Sequence, residues 1–261
     1  MTDDSIILTE TKGPALWLTI NREDRRNAIN KQVLAGIESA LRDAATDRNI
    51  RAIVLTGAGR KAFCAGADLS GGTNTFTLGL EEPQTDFGKL ARLARESQIP
   101  LIARINGDCI AGGMALMSLC DLAVAADHAR FGLPEAKVGV FPMQVLVYLR
   151  KMIPPRIVNE LCLTGEFITA ARAKEIGIAN NVVPYEDLDA AIDKLTSKLT
   201  EMSPMALRRG KYAIAAMDSM SFAQALAFAE QLIAITSLTP DAAEGLAAFN
   251  EKRAPAWKGP K

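Results

Sequence analysis

The chain has 261 residues, 49% of them apolar and 23% charged, and its 30 Lys and Arg balance 30 Asp and Glu. That length buries one large core and a smaller satellite. Zero net charge argues against nonspecific nucleic-acid binding, which needs surplus cations, and no apolar run reaches the roughly 20 residues of a membrane span.

The opening residues, MTDDSIILTE, carry acids and no long apolar run. The expectation is a chain without secretory signal or Arg-rich transit peptide, working in the cytoplasm. Ile6-Ile7-Leu8 and Ala15-Leu16-Trp17-Leu18-Thr19-Ile20 read as strands, followed by the turn-like NREDRRN. Val33, Ile37 and Leu41 share one face at helical spacing, which predicts a helix over 31–45. Ala52-Ile53-Val54-Leu55, Leu101-Ile102-Ala103-Arg104-Ile105 and Leu122-Ala123-Val124-Ala125 read as buried strands. This alternation predicts an α/β core. The Thr- and Gly-rich stretch 70–88 reads as a long loop that shapes a site.

From about Pro155 onward most segments read as helices. A stripe of Leu188, Ile192, Leu195 and Leu199 predicts one over 187–199. Ser221 and Gln224 have capping-box spacing, and Thr239-Pro240 places a cap before a first-turn proline. The expected layout is a core over 1–190 and a helical module over 191–261.

Three segments carry candidate chemistry. Phe63-Cys64-Ala65-Gly66-Ala67-Asp68-Leu69 follows a strand candidate, and its small residues let a ligand approach the main chain. Ile105-Asn106-Gly107-Asp108-Cys109-Ile110-Ala111-Gly112-Gly113-Met114-Ala115-Leu116 is a strand, a loop and a helix start. Helix starts expose unpaired N–H groups, so Gly112 suits an oxyanion; close backbone packing explains the same glycines equally well. Phe131-Gly132-Leu133-Pro134-Glu135 ends on a carboxylate that, alone, reads as a helix start. Cys64, Cys109, Cys120 and Cys162 fit no zinc spacing or redox pair and read as buried free thiols in a reducing compartment. The lone histidine, His128, reads as a solvated loop residue rather than a base.

Taken in order, these segments resemble the crotonase superfamily, also called the enoyl-CoA hydratase/isomerase family. The resemblance spans nearly the whole chain. It runs from Asn21-Arg22 and Arg26-Asn27-Ala28-Ile29-Asn30 through FCAGADLS, INGDCIAGGMAL and CDLAVAADHARFGLPE. It continues at Leu163-Thr164-Gly165, Ala173-Lys174-Glu175-Ile176-Gly177-Ile178 and Val182-Val183, and closes at Ala248-Phe249-Asn250-Glu251-Lys252-Arg253.

The resemblance implies a spiral of ββα units with a C-terminal helical oligomerisation module that forms homo-trimers or hexamers. It implies an acyl-CoA substrate and no separate cofactor or metal, coenzyme A being part of the substrate. It places an oxyanion hole at the backbone N–H groups of Ala67 and Gly112. Arg25, Arg26, Ala28, Ala65, Asp68 and Leu69 would lie along coenzyme A, and Phe249 and Lys252 would approach the ligand from the C-terminal module. Glu135 matches one of two glutamates that hydratases of the family place around a water. The other position is Ala115, which cannot move a proton. Met143 and Gln144 replace small residues of the family's pocket wall. A single acid/base, Glu135, suits double-bond isomerisation slightly better than hydration or dehydration with a non-standard water site. A catalytically silent acyl-CoA binder is the third expectation. Asp68, Asp108, Glu81, Glu82 and Asp86 are the acids that could substitute for the missing glutamate.

Overall fold

The computed structural model describes residues 5–76 and 81–257. Two sheets are built alternately as the chain advances. Strands β1 (Ile7–Lys12), β2 (Ala15–Ile20), β3 (Ala52–Gly57), β5 (Leu101–Ile105), β7 (Leu122–Ala126) and β10 (Asn181–Val183) form a six-stranded sheet in the order β1-β2-β3-β5-β7-β10. Strands β4 (Ala62–Cys64), β6 (Asp108–Ile110), β8 (Arg130–Gly132) and β9 (Ile168–Thr169) form a second sheet in that order. Only β1–β2 and β8–β9 are antiparallel. Each turn of the chain therefore lays one strand in the large sheet and the next in the small one. This is the expected spiral of ββα units.

Large-sheet strands are apolar throughout because both faces are covered. Ile53 and Leu55 point into the main core with Leu101, Ala103 and Ile105. Ala52, Val54, Ile102 and Val124 point the other way, onto Leu188 and Ile192 of α7 (Leu188–Glu201). A charge on that second face, Arg104, is paired by Asp189 of α7 at 2.6 Å. Helix α1 (Lys31–Thr46) starts where the Asn30 side chain accepts from Val33 N–H, and it buries Val33, Ile37 and Leu41.

Helix α2 (Asp86–Glu96) begins inside the stretch expected as loop, because Thr85 caps it through Gly88 N–H. The rest of that expected loop holds short 3-10 turns over Leu69–Phe76, and 77–80 lie outside the described residues. Next come α3 (Gly112–Ser118), α4 (Met143–Met152), α5 (Pro155–Thr164) and α6 (Ala170–Glu175).

The C-terminal helices are α8 (Pro204–Met217), α9 (Phe222–Ser237) and α10 (Pro240–Asn250). Ser221 and Gln224 form the expected capping box, and Thr239 caps α10. Charged clasps hold α8 to the core: Lys211 meets Asp121 at 2.6 Å, and Arg95 meets Asp218 at 2.9 Å. Helix α9 has no buried residue although it is strongly apolar. Among the described residues, no single helix is long and apolar enough to cross a membrane.

Candidate active site

Parallel strands β4, β6 and β8 are adjacent, so their C-terminal ends share one edge of the small sheet. The three candidate segments leave from that edge. Ligands gather at such edges in parallel sheets because chain departing there exposes backbone groups.

The first segment is held from both sides. Ala65 N–H donates to Arg26 O at 3.0 Å, Ile29 N–H to Gly66 O at 2.8 Å, and Asp68 N–H to Ile29 O at 2.8 Å. Those bonds flank Ala67, whose own N–H meets no acceptor among the described residues. The second segment turns at Ala111, a non-glycine at φ +52°, whose N–H donates to Gly132 O at 2.9 Å. Gly112 then opens α3, and its N–H is likewise unpaired among the described residues.

The two unpaired N–H groups lie side by side. A Cβ built on Gly112 would sit 3.4 Å from Ala67 N, and one on Gly66 would sit 3.5 Å from Gly112 N. A Cβ on Gly113 would collide with the Cys64 carbonyl oxygen. The backbones pack closely here, and that packing sets two unpaired donors next to each other.

The third segment follows β8. Glu135 lies in a 3-10 turn, Pro134–Val138, closed by Gly139 N–H on Ala136 O at 3.2 Å. Its Oε2 is buried and meets no hydrogen-bond partner among the described residues. Burial pushes its pKa up, opposed only by a bond from its own backbone N–H. Ala115, one turn into α3, is buried in the apolar core with Phe131, Leu133 and Cys162.

The early turn holds contacts that the sequence does not announce. Asp68 is paired: Arg22 Nη2 donates to its Oδ2 at 2.8 Å, and Arg22 Nη1 donates to Ala28 O at 2.5 Å. Sequence reasoning gave Arg22 no role. Its guanidinium ties the turn to the residue after Ala67. Asn27, fully buried at φ +57°, braces the same turn by donating to Ala58 O and Ala62 O. An asparagine in a tight polar turn was the one available signal, since Asn tolerates positive φ.

The Arg22 hydrogen bond holds the Asp68 carboxyl down at about 2, with help from Ser70. A depressed carboxyl contributes stability that is complete above its unfolded pKa of about 3.9 and fades as pH falls toward the folded value. Asp68→Asn is thus expected to lower the melting temperature at pH 7, with the gap closing as pH falls below about 4. Thermal melts across that range measure it; a constant gap would dismiss the ion pair as the cause.

Arg25 and Arg26 are exposed, Arg25 beside Asp24 at 3.4 Å. Ala28 and Ala65 are half-buried on the facing chains, and Leu69 is exposed. Phe249 and Lys252 lie at the end of α10, which packs on α8 and α9. Met143 is exposed at the start of α4. Gln144 is engaged, donating to Thr85 Oγ1 at 2.5 Å. Of the alternative acids, Asp108 pairs with Arg130 at 2.6 Å, Glu82 pairs with Lys89, and Asp86 opens α2. His128 is exposed and bonds Arg60 O at 3.1 Å. All four cysteines are free thiols; Cys120 is only half-buried, unlike the other three.

A two-sheet spiral with such an edge defines a crotonase-fold enzyme. The sequence pattern of the enoyl-CoA hydratase/isomerase family matches residues 10–260. The chain is 36% identical to 2,3-dehydroadipyl-CoA hydratase of Escherichia coli, over 98% of this chain and 99% of that protein. It is 36% identical to carnitinyl-CoA dehydratase of Salmonella arizonae, again over 98% and 99%. The crystal structure of an enoyl-CoA hydratase from Mycobacterium smegmatis superposes with a TM-score of 0.90 at 32% identity, covering 97% of this chain and 98% of that one. This chain belongs to the enoyl-CoA hydratase/isomerase family and is a crotonase-type enzyme.

Proposed function

We propose that the Ala67 and Gly112 N–H groups hold the thioester oxygen of an acyl-CoA while Glu135 alone carries protons. The observation that carries this reading is the buried Glu135 Oε2, without a partner among the described residues, in the turn that follows β8, the strand next to β6 and its Gly112 loop. A carboxylate kept from water and from partners is poised to exchange a proton. In the favoured reaction a 3-enoyl-CoA loses its C2 proton to Glu135. The electrons move onto the thioester oxygen, where two fixed donors meet the charge. The same carboxyl then protonates C4, leaving a 2-enoyl-CoA. Ala115 favours this course, since no second carboxylate stands on α3 to activate water.

Hydration or dehydration is the second reading. The names of the Escherichia coli and Salmonella relatives favour it. In that case Glu135 serves both as base for water and as acid for carbon. Gln144 could position that water through its Oε1, its amide nitrogen being engaged with Thr85.

The conjugated thioester absorbance separates these outcomes. Isomerisation predicts a gain from 3-enoyl-CoA; hydration predicts a loss from 2-enoyl-CoA. No change with either substrate would leave the silent binder. We further propose a homo-trimer or hexamer, since no residue of α9 is fully buried within the chain and Phe222, Leu238 and Phe249 are 80–84% exposed. Arg25, Arg26, Ala28, Ala65, Asp68 and Leu69 would flank coenzyme A, with Phe249 and Lys252 supplied by the helical module.

A further inference from the structure

The turn that carries Glu135 packs against the end of α5 and the chain beyond it. Strand β9 pairs antiparallel with β8, Phe131 opposite Ile168. Lys137 reaches Glu166 at 3.4 Å. The Phe167 ring covers Gly132 so closely that any Cβ there would collide with it, and Arg130 stacks on the same ring at 5.4 Å. Cys162, one turn earlier in α5, is buried and senses the Glu135 charge.

At the centre of this surface is Gly165. It ends α5 at φ +62°, and its N–H donates to Leu161 O at 3.1 Å. A Cβ on it would lie 3.2 Å from Pro134 Cα and 3.1 Å from Lys137 Cε. The lysine end can swing aside. Pro134 Cα cannot, because it is main chain, fixed by a ring, one residue before Glu135.

We propose that Gly165 is a positioning residue for Glu135: its missing side chain lets the Pro134–Glu135 turn settle against α5 and sets where the carboxylate sits. This rests on Glu135 being the acid/base. A helix-ending glycine at positive φ has a purely local explanation, since only glycine adopts that backbone without cost. The two roles separate experimentally. Asparagine tolerates positive φ but carries a Cβ. Gly13, in the β1–β2 turn, has φ +56° with nothing within 4 Å, so Gly13→Ala supplies the backbone strain without the contact.

Steady-state kinetics and pH profiles of Gly165→Ala, Gly165→Asn, Gly13→Ala and Glu135→Gln form the test. Gly165→Ala and Gly165→Asn are both expected to lose ~10–100-fold in kcat with KM changed less than about threefold, since a small displacement of a catalytic group costs turnover rather than binding. The acid limb of their kcat profile should move toward lower pH as the carboxylate becomes wetter. Gly13→Ala should match the parent enzyme in kcat. Normal turnover in Gly165→Asn, or a Gly165→Ala enzyme no worse than Gly13→Ala, would overturn the positioning role alone. Normal turnover in Glu135→Gln would overturn the reading of Glu135 and this inference with it.

Discussion

Glu135→Gln is expected to cut turnover by ~10²–10⁴-fold while making the folded protein more stable at neutral pH. The first effect follows from Glu135 being the proposed proton carrier, with three of the alternative acids already engaged. Asp68, Asp108 and Glu82 are already paired with Arg22, Arg130 and Lys89. The second follows from burial. Glu135 Oε2 has no partner, so the ionised side chain is stabilised less in the folded state than in water. A raised folded pKa means that the wild-type side chain suits the fold best when protonated. Its favourable contribution is complete below the ordinary glutamate value of about 4.3 and is lost as pH rises through the folded value. Glutamine carries no charge at any of these pH values. Its gain in stability, on the order of 1 kcal/mol or about 2–4 °C, should thus be visible at pH 7–8 and should vanish toward pH ~4. Melts of both proteins across this range, with turnover measured in parallel, make the check. A variant that is inactive but less stable at pH 7 would mean that the glutamate is held by contacts the fold does not display.

Gly66→Ala should cost ~10²–10³-fold in kcat by separating the two unpaired N–H groups. Gly66 has φ +106°, a region that L residues rarely enter, and an added Cβ would lie 2.9 Å from Ala111 Cβ. Ala111 is itself held at positive φ and tied to Gly132, so its loop cannot retreat freely. The strain must open the gap between the Ala67 and Gly112 loops. Donors preorganised for developing charge lose their value when that charge is no longer met by both. The measurement is kcat on the best substrate, with a thermal melt to show that the variant is folded. Turnover within about threefold of wild type would remove the paired-donor reading.

The helices were largely legible because their signals are local. The stripe of Val33, Ile37 and Leu41 is buried in α1, and the Ser221–Gln224 box forms as its spacing demands. Helix α2 was missed because its cap, Thr85, lies in a stretch that looked like loop throughout. The site was legible as segments and not as contacts. Nothing in FCAGADLS says that Asp68 pairs with Arg22, far earlier in the chain. Nor does the segment around Gln144 say that its amide bonds Thr85. Gly165 belonged to a recognisable Leu-Thr-Gly run, but nothing in that run says that Pro134 lies against it. Each of these facts depends on register between distant strands, which no local pattern encodes.

The small sheet has a consequence for how the enzyme comes into being. Its parallel strands β4, β6 and β8 are never neighbours in sequence, because a strand of the large sheet is always laid down between them. Pairings of this kind close long loops and are slow to form. The helices can recover their turns early, from local contacts alone. The edge bearing Ala67, Gly112 and Glu135 exists only after both long loops, β4 to β6 and β6 to β8, are closed. Regained activity during refolding would therefore report the closure of the small sheet, and a collapsed chain with full helical signal could still be catalytically blank.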